Sequence, residues 1–261
     1  MPHPELVVSQ RDGIATVLID RPEKRNALTL PMWVALAEAM DGLSADTALR
    51  CVILRGAGEA SFSAGADIAA FRHERGTPER EAAYAEALEN AFLSIERCVH
   101  PVVAAVRGWA MGGGCGIALM ADFRVGGPGT RLGIPARMLN LYYPHAGLDA
   151  LLRIAGHAVA SEMLLEGRVY DGAEALERRL LNRLAGEDAE VPAEAEALAR
   201  RIAEGAPLAN RFHKAALRAL RGPLPIGAAD RAAADAFPGT ADFQEAVAAF
   251  AERRRPVFRG L

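Results

Sequence analysis

Cysteine is scarce in this sequence, with Cys51, Cys98 and Cys115 odd in number, widely spaced and set among apolar residues. That pattern excludes a disulfide framework or a zinc cluster, and it reads as buried thiols in a reducing compartment. An excess of one charge sign is also missing: 30 Lys and Arg stand against 33 Asp and Glu, a net charge of -3. A nucleic-acid footprint is therefore not expected. The basic run Arg253-Arg-Arg255 is local, and reads as a solvated helix end or a phosphate contact. No apolar run approaches the roughly 18 residues of a membrane span, and Met1-Pro-His-Pro-Glu5 lacks the charged-then-apolar order of a signal peptide. No membrane association and a cytoplasmic location are the expectations. What is present is 261 residues, 51% hydrophobic and 24% charged, enough to bury a sizeable core.

Two segments rich in small residues carry the functional signal, Ser61-Phe-Ser-Ala-Gly-Ala-Asp-Ile68 and Trp109-Ala-Met-Gly-Gly-Gly-Cys-Gly116. Each places small residues where a chain leaves a strand and turns, so backbone N–H groups can approach a ligand closely. Two such donors can hold one oxyanion. Around them, Glu5–Val8 and Ile14–Ile19 read as strands joined at Arg11-Asp-Gly13, Cys51–Leu54 and Val102–Val106 as buried strands, and Phe123–Val125 as a return to the sheet. Helices are expected from Pro31, from Thr77-Pro-Glu-Arg80 and over Gly112–Met120. Phe71–Gly76 is polar and uncapped, which suggests a mobile segment. Beyond about residue 195, Leu198, Ile202, Leu208, Phe212 and Leu220 recur at helical spacing. The strand and helix order suits either a stacked ββα spiral or a doubly wound sheet.

The two glycine segments, with Asp20-Arg-Pro-Glu-Lys-Arg-Asn-Ala-Leu28, Ala121-Asp-Phe-Arg-Val125, Leu132-Gly-Ile-Pro135 and Ala249-Phe-Ala-Glu-Arg-Arg-Arg-Pro-Val-Phe258, resemble the crotonase, or enoyl-CoA hydratase/isomerase, family nearly end to end. The resemblance implies an α/β fold: a stacked ββα spiral core over 1–195 holding the CoA-thioester site, then a helical region over 196–261. It implies trimers or dimers of trimers, an acyl-CoA substrate, and no tightly bound cofactor beyond the coenzyme A of that substrate. By position it makes Ala66 and Gly113 the two oxyanion donors. Lys24, Arg25, Ala64, Asp67 and Ile68 fall beside the CoA moiety, with Phe250 and Arg253 as contacts from an adjacent subunit. Asp67 is also expected to order its loop, and Asp122 to fix a strand.

Departures from the family pattern are informative. Hydratases carry a glutamate where this chain has Gly116, and a second where it has Ala136. Without them the hydration mechanism lacks its acid and base. The oxyanion hole alone suits a substrate that makes its own enolate, such as a malonyl-type thioester losing carbon dioxide. Tyr142, Tyr143 and His145 are candidates to orient a carboxylate or deliver a proton, and Arg137 to anchor a carboxylate. Three readings follow: an acyl-CoA enzyme of the hydratase/isomerase type, a decarboxylase or other lyase, and a CoA-thioester binder without catalysis.

Overall fold

Two antiparallel strands, β1 (Leu6–Arg11) and β2 (Ile14–Ile19), begin the computed structural model, which describes residues 3–220, 239, 241–254 and 256. β1 continues to Arg11, past the expected Val8. β3 (Cys51–Gly56), β5 (Val102–Val106), β7 (Phe123–Gly126) and β10 (Arg183–Leu184) then add in parallel to give a six-stranded sheet. A four-stranded sheet takes β4 (Ser61–Ser63), β6 (Trp109–Met111), β8 (Arg131–Gly133) and the antiparallel β9 (Val169–Asp171). The main helices are α1 (Leu30–Ala45), α3 (Pro78–Arg97), α4 (Gly113–Met120) and α5 (His145–Ser161), with short helices α2 (Phe71–Glu74) and α6 (Gly172–Glu177). Thus β3-β4, β5-β6 and β7-β8 each place one strand in either sheet before a helix returns the chain. This is the stacked ββα spiral, and the doubly wound alternative is set aside.

β5 is buried along its whole length because it has core on both faces. Val102, Ala104 and Val106 enter the larger cluster, while Val103 and Ala105 pack with Val191, Ala195 and Leu198 of α7 (Val191–Ala203). An unbroken apolar run is what such a strand requires. α7 runs through the expected boundary at residue 195 and covers the outer face of the large sheet. α8 (Pro207–Ala219) is fastened more lightly. Its Lys214 Nζ donates to Asp122 Oδ2 at 2.6 Å and to the His100 carbonyl at 2.9 Å. Asp122 also accepts from Val102 N at 2.7 Å, so it fixes the start of β5 as expected. Leu208, Phe212, Leu217 and Leu220 are exposed along α8 in the single chain. α9 (Ala241–Ala251) carries Phe250, and Arg253 follows in a turn. Of the tail motif, Arg255, Val257 and Phe258 lie outside the described residues.

The expectation for Phe71–Gly76 is corrected. Phe71 is buried, with its ring 5.9 Å from that of Tyr84 and stacked 6.4 Å from Phe243. Arg75 is also buried, 4.7 Å from the centres of the Phe71 and Tyr84 rings and ion-paired to Glu81. Glu74 accepts from the Leu30 N–H at 3.0 Å, capping the start of α1. The charges that make this stretch look solvated are the groups that pin it.

Candidate active site

Ala66 sits on a bridge to Leu28 that aims its N–H away from Leu28. The bridge is parallel and uses the flanking groups, Leu28 N to Gly65 O at 2.7 Å and Asp67 N to Leu28 O at 2.8 Å. In a parallel ladder the N–H of the bridged residue itself points to the opposite side. The loop is held by Ser63 Oγ, which donates to Asn26 O at 2.7 Å and accepts from Gly65 N at 3.1 Å, and by Ala64 N donating to Arg25 O at 2.9 Å. Asp67 orders the next turn, as expected: its carboxylate accepts from Ala69 N at 3.0 Å and from Arg21 Nη1 at 2.7 Å. The Arg21 guanidinium is pushed down by burial and up by Asp67, the net direction being up.

Gly113 opens α4, so its N–H is one of the first-turn donors with no partner inside the helix. Among the described residues neither the Ala66 nor the Gly113 N–H engages another group. Gly65 brings the two loops together. At φ +87°, a Cβ there would lie 2.5 Å from Met111 O and 2.8 Å from Gly113 N. Only glycine allows that approach. The helix N-terminus adds a favourable dipole for negative charge at this point.

A cavity of about 620 Å³ opens beside these donors. Ala64, Ala66, Ile68 and Gly113 line it, as do Ala136, Tyr142, Tyr143 and His145. Lys24, Arg25, Asp67, Phe250 and Arg253 do not, and neither does Gly116. Lys24 and Arg25 are exposed on the turn after β2, with the Arg25 carbonyl held by Ala64. Arg137 corrects the expectation of a carboxylate anchor in the pocket. Its Nη1 donates to the carbonyls of Leu165 and Glu166, at 2.8 and 3.1 Å, and caps the end of a helical segment outside the cavity.

Gly116 is a matter of volume. A Cβ at this position would come 2.1 Å from Phe92 Cζ, 2.6 Å from Phe92 Cε2 and 2.6 Å from Tyr143 Oη. Two aromatic side chains fill the space into which a glutamate would have to grow. The Tyr143 hydroxyl donates to the Gly112 carbonyl at 3.0 Å, and burial raises this phenol well above its ordinary pKa. It is a neutral, engaged group. Tyr142 is more exposed and meets the His145 ring edge-on at 4.9 Å. His145 is buried at the start of α5.

Sequence reasoning missed Glu89. It lies on the cavity wall of α3, one helical turn before Phe92, and its carboxylate faces Ala146 N at 3.3 Å. Its place three residues before Phe92, a core-facing residue of α3, is the signal in the sequence. Among the described residues no group of three or more His, Cys, Asp or Glu could hold a metal ion. No helix there is long and apolar enough to cross a membrane.

A family model described as enoyl-CoA hydratase/isomerase matches residues 9–260. The chain belongs to the enoyl-CoA hydratase/isomerase family. At that level it is an acyl-CoA enzyme, with coenzyme A as part of its substrate. A crotonyl-CoA hydratase from Syntrophomonas wolfei is 32% identical, over 99% of both chains. An enoyl-CoA hydratase/carnithine racemase from Magnetospirillum magneticum superposes with a TM-score of 0.81 at 40% identity, covering 99% of this chain and 97% of that one. A methylmalonyl-CoA decarboxylase in complex with 2-nitronate-propionyl-CoA gives a TM-score of 0.88 at 26% identity, covering 99% and 100%. Proteins similar to this chain in sequence or in shape thus include some named for adding water and one named for removing carbon dioxide.

Proposed function

We propose that this protein forms a CoA-thioester enolate by decarboxylating a malonyl-type acyl-CoA. The Cα–carboxylate bond breaks, carbon dioxide leaves, and the bonding pair moves into the thioester carbonyl. The resulting oxyanion is held by the N–H groups of Ala66 and Gly113, preorganised on the cavity wall. A proton from solvent water then adds at Cα, leaving hydroxide to be neutralised by the buffer. One observation carries the reading: the space at Gly116 is closed by Phe92 and Tyr143, and position 136 is alanine, while both N–H donors stay open. Bond cleavage within the substrate needs the donors and no protein base. The decarboxylase neighbour supports this choice.

A second reading rests on Glu89. A carboxylate on the wall of the cavity that Tyr142 and His145 also line offers a relocated acid or base, so hydration or double-bond isomerisation with that group is the competing reaction. In either case we assign Ala64 and Ile68 on the cavity wall, with Lys24, Arg25 and Asp67 outside it, to the CoA moiety. Phe250 and Arg253 are contacts supplied across a subunit boundary. The exposed apolar stripe of α8 suits burial against another copy, in a trimer or a dimer of trimers. Mass spectrometry of malonyl-type and enoyl thioesters after incubation separates the readings. Loss of carbon dioxide from the first supports decarboxylation, whereas gain of water on the second supports the relocated carboxylate.

A further inference from the structure

The Gly112 carbonyl and the Gly113 N–H belong to one peptide group, and two donors converge on that carbonyl. Gly116 N–H reaches it at 3.0 Å as the first bond of α4, and the Tyr143 hydroxyl reaches it at 3.0 Å from the loop before α5. We propose that Tyr143 is a positioning residue for the oxyanion hole, acting through the Gly112–Gly113 peptide to fix and polarise the N–H that Gly113 presents to the thioester. A hydrogen bond to a carbonyl draws charge through the conjugated peptide and strengthens its N–H as a donor. The second donor also holds the peptide plane, which sets the direction of that N–H.

The surroundings are shaped for this contact. Two glycines make room for the phenol: a Cβ at Gly116 would lie 2.6 Å from its oxygen, and one at Gly147 would lie 2.4 Å from ring carbon Cε1. The Phe92 ring supports it from the side, with centroids 6.3 Å apart. With its proton directed at Gly112 and its ring locked, Tyr143 is placed to hold the loop rather than to protonate substrate. Burial, which keeps the phenol neutral, agrees. This assignment rests on Gly113 being an oxyanion donor.

The test is infrared difference spectroscopy of propionyl-CoA carrying 13C at the thioester carbonyl, bound to the wild-type chain and to Tyr143→Phe. The wild type is expected to move the carbonyl band to lower frequency, and Tyr143→Phe to lose a large part of that shift. Turnover of the substrate found in the thioester panel should fall on the order of tenfold in kcat, with KM within about twofold, because the lost interaction grows as charge develops on oxygen. Gly147→Ala, which pushes the ring from outside the oxyanion loops, should act in the same direction and serves if Tyr143→Phe fails to fold. A folded Tyr143→Phe protein with the full wild-type band shift would overturn the positioning role alone. A wild-type protein that binds propionyl-CoA without shifting its band, or does not bind it, would overturn the donor assignment and this role together.

Discussion

Replacing Gly116 by alanine opposes two effects of different sign. In a helix interior, Gly→Ala ordinarily stabilises by about 1 kcal/mol through backbone entropy. Here the new Cβ would meet Phe92 Cζ at 2.1 Å and the Tyr143 oxygen at 2.6 Å, well inside contact distance. Overpacking of a filled core costs about 1–3 kcal/mol, and an overlap this deep belongs near the upper end. The net expectation is a loss of about 1–2 kcal/mol, or a melting temperature lower by roughly 2–8 °C for a chain of this size. Thermal unfolding followed by circular dichroism reads it directly. A double-mutant cycle with Phe92→Ala isolates the cause: the paired variant should be more stable than the sum of the single losses by about 1 kcal/mol. A Gly116→Ala protein that melts higher than wild type, with effects that add, would refute the claim that aromatic volume excludes the carboxylate.

Two further outcomes concern stability. Arg75→Met leaves the Glu81 carboxylate buried without its partner and should cost about 3–5 kcal/mol in urea unfolding. The His100 imidazole is held below its ordinary 6.5, first by burial and then by Arg211, so the unfolded chain takes up this proton before the folded one does. Stability should therefore be full above pH 6.5 and fall as pH drops toward the lower folded value, with His100→Gln removing part of that acid slope in pH-dependent melts.

Much of the architecture is legible in the chain because it is encoded locally. Val102–Val106 announces a strand buried on both faces, and Thr77-Pro78 announces a helix start, where Thr77 indeed accepts from Arg80 N. The two glycine segments were legible as a paired feature, and the geometry of Gly65 explains why. What escaped reading depends on contacts between distant segments. Gly116 looked like a missing base because nothing in the sequence says that Phe92 of α3 enters its space. Arg137 looked like an anchor because its true acceptors, Leu165 and Glu166, lie on another turn of the chain. Phe71–Gly76 looked solvated because its ring and its cation are covered by Tyr84, Glu81 and Phe243. Glu89 is not legible as a site residue because a carboxylate on an amphipathic helix usually faces water.

The central claim is that the substrate, and not a protein base, generates the enolate. Mass spectrometry in deuterium oxide addresses it with two incubations. A malonyl-type thioester should lose carbon dioxide and yield a product with one deuterium at Cα, while saturated propionyl-CoA incubated with the same protein should acquire none. Deuterium entering propionyl-CoA at Cα would reveal a working base in the pocket, with Glu89 first in line, and would contradict the account.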